Sequence, residues 1–130
     1  MQVIIGGYTA GLGGKATGVR SLVVDSDDGG LVHLDERAEL SLASPAHIIS
    51  HPEQPWLFAV TEEAPSLVHS LMSAADGSLE RLASRESGGD AACHLALSPD
   101  GRHLVVAHYD SGSVSSFAVD DSGRRAASSV

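Results

Sequence analysis

β-Branched and apolar residues cluster in fives and sixes along the chain, separated by Gly, Pro, Asp and Ser. That pattern predicts short strands joined by turns and needs no helix. Strands are expected at 2–8, 18–25, 31–37, 46–50, 56–61, 66–72, 79–84, 93–98, 103–108 and 113–119, with ends free to slip by about two to four residues.

The pattern also repeats. Pro45-Ala46-His47-Ile48-Ile49-Ser50-His51-Pro52 returns 47 residues later as Ala92-Cys93-His94-Leu95-Ala96-Leu97-Ser98-Pro99. At the same offset Leu57 to Val60 falls on Leu104 to Ala107, and with one residue of slippage Val68 to Leu71 falls on Val114 to Phe117. A weaker first copy precedes these: Val3 to Tyr8 matches the Leu57 run, Val19 to Val24 matches the Val68 run, and Gly30-Leu31 matches the turn exit at Ser78-Leu79. It has no counterpart of the His47 strand. Ser98-Pro99-Asp100-Gly101 reads as a turn in which Pro fixes φ, Asp bonds the backbone beside it and Gly supplies a positive φ. Asp76-Gly77 and Ser122-Gly123 do the same work later in each copy.

Four antiparallel strands in a repeat of about 40 to 50 residues are the signature of a β-propeller blade. The expected fold is therefore all-β, with about three blades: residues 1–43 lacking one strand, 44–90, and an incomplete 91–130, where Arg124 to Val130 starts another strand. Propellers close with about four to eight blades. Three leave blade faces and strand edges uncovered, and self-association through those faces is one expected consequence. The absent leading strand of the first copy would be supplied from the other end of a closed ring.

Composition narrows the function. Eight Lys and Arg against 17 Asp and Glu give a net charge of −9, and Lys15 is the only lysine. No basic stripe exists to follow a phosphate backbone, so nucleic acid and anionic membrane are poor partners. Apolar runs such as Leu57 to Val60 fall far below the roughly 18 residues of a membrane span. Met1 to Gly7 lacks the charged start and long apolar stretch of a secretory signal, which reads as a cytoplasmic protein. The single Cys93 excludes an intrachain disulfide framework.

Ile5-Gly6-Gly7-Tyr8-Thr9, Ser44-Pro45-Ala46-His47 through Thr61-Glu62, Gly88 to Arg102, and Ala107-His108-Tyr109-Asp110-Ser111-Gly112-Ser113-Val114 together resemble the lactonase family of seven-bladed β-propellers. The resemblance covers the whole chain in order and implies the amino-terminal part of a longer ring. It implies a sugar-lactone hydrolase that converts 6-phosphogluconolactone to 6-phosphogluconate in the pentose phosphate pathway, without metal or nucleotide cofactor. The alternative is a non-catalytic or binding propeller fragment that oligomerises. The family usually has Asn at the positions of Thr61 and His108, so hydrogen bonding there is expected to differ. Its channel-mouth chemistry comes mainly from the fourth and fifth blades, past Val130, and no catalytic residue is assigned in this chain.

Lactone hydrolysis needs a base to activate water, donors for the oxyanion and, for a phosphorylated substrate, positive charge. His47 and His94 open successive inner strands and could face the channel; as strand-start residues they could equally be satisfied turn residues. Glu62 ends an apolar strand, which puts its carboxylate at a strand tip. Tyr109 with Ser111 offers hydroxyls to a polyol, or simply a hairpin turn through Asp110-Ser111-Gly112. His94, Glu62, Tyr109 and His47 are the substrate-binding candidates; His108 is a base by type. The arginines are scattered singly, apart from Arg124-Arg125, and read as solvated charge. Cys93 beside His94 suggests a thiol nucleophile, but regular strand alternation sends the two side chains to opposite faces and makes Cys93 a small core residue. Gly11 to Ala16 lacks the spacing of a phosphate loop and reads as a flexible hairpin loop. The acidic groups at 25–28 and 120–121 lack calcium-loop spacing, and the histidines lack metal-site spacing.

Overall fold

The computed structural model describes residues 1–28, 31–123 and 126–129, and side chains other than those of 25–33 and 124–130. The chain forms three antiparallel sheets in sequence. The first holds β1 (Gln2–Gly6), β2 (Gly18–Asp28) and β3 (Leu31–Ser41) in that order. The second runs β4 (Pro45–Ser50), β5 (Trp56–Thr61), β6 (Leu67–Ser73) and β7 (Leu79–Glu86). The third runs β8 (Ala92–Leu97), β9 (His103–His108), β10 (Val114–Val119) and β11 (Ala126–Ser129), so the expected last strand completes it. This is the all-β arrangement of consecutive propeller blades. The first sheet starts on β1, the counterpart of β5 and β9, and among the described residues has no strand matching β4 and β8.

Burial explains the sequence pattern. The middle sheet is covered on both sides, so β5 is apolar without alternation and buried throughout. Its residues divide between two cores. Leu57 and Ala59 join Val19, Leu42 and Leu71 against the first sheet. Phe58 and Val60 join Val68, Ala92, Leu95, Leu104, Val106 and Phe117 against the third. In β9 only one face is covered, and Leu104 and Val106 are buried between the exposed His103 and Val105.

The Ser98 to Gly101 turn forms as the residue types dictate. Asp100 accepts from the Ser98 hydroxyl at 2.5 Å and the Arg102 amide at 3.0 Å, and Gly101 takes φ 72°. A Cβ at Gly101 would also lie 2.1 Å from His51 Nε2. Those hydrogen bonds from Ser98 and Arg102 hold the Asp100 carboxyl below its ordinary range, and Ser78 does the same for Asp76. The turn at Gly30 falls outside the described residues.

Some strand ends shift within the expected slip, and one loop differs from its expected form. β1 ends at Gly6 rather than residue 8, because Gly14 and Ala16 bond back to Thr9 and Tyr8 and bend the chain. The loop read as flexible contains one ordered 3₁₀ turn, Ala10–Leu12, closed by Gly13 at φ 75°. β2 and β3 run longer than expected, to Asp28 and Ser41, across a bulge between Ser21 and Leu22 that the apolar pattern does not reveal.

Candidate functional site

The entry to each leading strand is built the same way twice. Ser44 and Ala91, 47 residues apart, are the two non-glycine residues with positive φ among the described residues, at 43° and 53°. Such backbone persists only where neighbours hold it. The Ser44 carbonyl accepts from the Glu62 amide at 3.0 Å, and the Ala91 carbonyl from the Tyr109 amide at 2.8 Å. A hydroxyl from the preceding sheet secures each entry: Thr9 exchanges bonds of 3.1 Å with Ser44, and Ser66 accepts from the Ala92 amide at 2.8 Å. Immediately afterwards both strands are bulged, between Pro45 and His47 and between Ala92 and His94.

These entries bring His47 and His94 together. Their rings stack with centroids 4.3 Å apart and planes 21° from parallel. His47 Nδ1 accepts the Leu95 amide at 3.0 Å, which leaves the ring proton on Nε2. Burial, then the neighbouring His94, pushes the His47 pKa down and favours the neutral ring. His94 is exposed beside it.

Glu62 lies at the same end of the sheets, one residue past β5. Its Oε2 accepts a 2.5 Å hydrogen bond from the Tyr8 hydroxyl of the first sheet. Tyr8 lies within one of the sequence motifs but is not among the candidate site residues that the sequence offers. The available signal was positional, because Tyr8, Glu62 and Tyr109 are counterparts that follow the second strand position of the three copies. The hydrogen bond to Glu62, then its negative charge, raises the Tyr8 pKa above the usual phenol value, with smaller pushes from burial and the Cys93 sulfur. Glu62→Gln is therefore expected to lower the Tyr8 pKa toward that of an ordinary phenol. Ultraviolet absorbance of phenolate during an alkaline titration reads this directly, since Tyr109 is the only other tyrosine. An unchanged titration would contradict the pairing.

Tyr109 is brought to this end by its backbone, and its ring is 78% exposed. Ser111 does not stand with it as a free hydroxyl: it accepts the Asp90 amide at 3.2 Å and contacts Ser113 at 2.9 Å, which is turn chemistry. His108 is not a free base. Its ring is buried between Ser87 Oγ at 2.8 Å and the Ser113 carbonyl at 3.2 Å. Thr61, its counterpart, likewise bonds Leu67 at the start of the next strand. Thus both side chains tie strand end to strand start. Gly89 permits the close packing there, because a Cβ would meet the His108 ring at 2.6 Å.

Cys93 departs from the core placement expected of it. The bulge disrupts the alternation on which that expectation rests, and the thiol is half-buried with a long 3.8 Å contact to the Ala107 carbonyl. Three arginines are engaged: Arg20 pairs with Glu36 and Glu39, Arg37 with Asp35, and Arg81 donates to the Ser41 carbonyl. The Arg124-Arg125 doublet and the side chains of Asp25 to Asp28 lie outside the described residues.

Comparison with known proteins agrees with this architecture. No curated protein matches the chain. Among solved structures, the periplasmic gluconolactonase of Pseudomonas aeruginosa superposes with a TM-score of 0.84 at 26% identity, over 97% of this chain and 36% of that one. A candidate 6-phosphogluconolactonase from Bacteroides fragilis gives 0.81 at 20% identity, over 95% of this chain and 33% of that one. One from Bacteroides uniformis gives 0.81 at 22% identity, over 97% and 35%. The chain thus spans about a third of the length of these structures. The family profile described as lactonase, 7-bladed beta-propeller matches residues 2–130. With its repeated four-stranded sheets and matching strand entries, the chain belongs to the lactonase family of seven-bladed β-propellers.

Proposed function

We propose that the protein is a sugar-lactone hydrolase that opens 6-phosphogluconolactone to 6-phosphogluconate, as in the pentose phosphate pathway. The observation that carries this reading is the family match along residues 2–130, and the polar cluster at one end of the three sheets is in keeping with it. Hydrolysis adds water across the ester of the lactone. The water oxygen joins the carbonyl carbon, the ring oxygen leaves with a proton as a hydroxyl, and the acid formed releases a proton at neutral pH.

In this reading the present sheets form a binding wall. Glu62 accepts hydrogen bonds from sugar hydroxyls, His47 offers its Nε2 proton, and the exposed His94 and Tyr109 rings line the approach. The groups that activate water and hold the oxyanion belong, on the family pattern, to the fourth and fifth blades. The protein at its full natural length is expected to release protons from 6-phosphogluconolactone faster than spontaneous opening in a pH-stat. A rate equal to the spontaneous one would overturn the assignment.

A second reading rests on exposed apolar side chains outside the two cores, Leu34 and Val114 at 63% each. A non-catalytic assembly would cover them by self-association. Concentration-dependent sedimentation of a protein without lactonase activity would favour it.

A further inference from the structure

The end of the sheets that carries Tyr8, Glu62, His47 and His94 gathers several carboxylates around Glu62. Glu62 and Glu63 follow β5, Asp90 precedes the entry to β8, and Asp110 follows Tyr109. Among the described residues no arginine or lysine makes a hydrogen bond or ion pair with these groups. Lys15, whose neighbour Ala16 bonds the Tyr8 carbonyl, lines a separate hollow of the first sheet with Gly6, Gly7 and Arg20. Arg102 lines a hollow with Trp56 and His51, at the opposite ends of β5 and β4. A phosphate dianion set against Glu62, Glu63, Asp90 and Asp110 would meet carboxylate repulsion. A sugar hydroxyl would gain a charge-assisted bond to Glu62.

The geometry of the pair suits that task. Tyr8 donates to Oε2 alone, leaving Oε1 of the half-buried Glu62 without a hydrogen bond from the described residues. The two residues come from different sheets, so the carboxylate is steadied by a contact that forms only when the sheets are docked. Thr9, next to Tyr8, secures the Ser44 entry behind Glu62. The stacked imidazoles add polar edges at the same end, with His47 neutral.

We propose that Tyr8 and Glu62 form a hydroxyl clamp that holds the uncharged polyol side of a sugar lactone, so that any phosphate on the substrate points away from Glu62 and the carboxylates around it. The inference rests on the lactonase reading and adds to it an orientation and a positioning residue, Tyr8. It assigns to this part of the ring the features shared by phosphorylated and unphosphorylated lactones, and none of the discrimination between them.

The test uses the protein at its full natural length and two stable probes, gluconolactam and its 6-phosphate, with affinities measured by calorimetry. Glu62→Gln, which keeps the side-chain size, is expected to weaken both by the same factor, about tenfold or more. Tyr8→Phe is expected to weaken both by a smaller equal factor, with the melting transition retained. No binding by the unaltered protein, or unchanged affinities in Glu62→Gln, would overturn the clamp. So would tighter binding of the phosphate form alone, which would place Glu62 against the phosphate. Because the probes are not turned over, binding is read independently of hydrolysis: an active enzyme with unaffected variants loses only the clamp, and a protein that binds through Glu62 without hydrolysis loses only the lactonase reading.

Discussion

Phe117→Ala is expected to cost about 3–5 kcal/mol of stability, measured as a lower midpoint in chemical denaturation. Phe117 is 1% exposed and stands in the core between the second and third sheets, with Leu104 as its partner across β9. Both phenylalanines of the chain, Phe58 and Phe117, meet in this core. Truncating one leaves a hole that strands fixed by ladders on either side can close only in part. Domains have about 5–15 kcal/mol in total, so the loss is a large fraction of what holds the two sheets together. A cost below about 1 kcal/mol would mean that the core repacks freely and that the sheets are held chiefly elsewhere.

Acid should weaken the fold through His69. This ring is 3% exposed, bonds Ser84 at 2.6 Å through Nδ1, and leaves Nε2 buried without a hydrogen-bond partner. Its register with Ala59 turns it toward the first sheet, and burial, reinforced by the Arg81 charge, pushes its pKa from 6.5 down to about 4. The sign follows from proton uptake. Below pH 6.5 the unfolded chain binds a proton that the folded ring refuses until about pH 4, so stability falls as pH drops through that window and is fully present above it. The total effect is about 3 kcal/mol. The exposed Asp76 and Asp100, whose pKa values are lowered, lose their contributions at still lower pH. His69→Gln should flatten most of the decline between pH 6.5 and 4 in denaturation curves. An unaltered slope would assign the acid sensitivity to other groups.

The strands were legible because burial writes itself into residue order. β5 reads as an unbroken apolar run since it serves two cores, and the 47-residue offset reappears in the paired positions of Ser44 and Ala91. The candidate site was legible only in part. His47 and His94 were visible as equivalent strand-start residues, whereas their stacking depends on how adjacent sheets dock. The Tyr8–Glu62 bond joins residues 54 apart on separate sheets, and no local pattern encodes it. Cys93 was misplaced because alternation assumes a regular strand, and no glycine within the strand marks this bulge. His108 looks like a base in sequence, yet its ring is consumed by the same strand-tying role that Thr61 performs with a hydroxyl.

The central claim is that the end of the sheets carrying His47 and His94 receives the sugar. Histidine ring resonances followed by NMR during titration of the full-length protein with gluconolactam test it most directly. Shifts are expected for His47 and His94, with His51 and His103, at the opposite strand ends, left in place. Shifts confined to His51 and His103, or none at all, would contradict it.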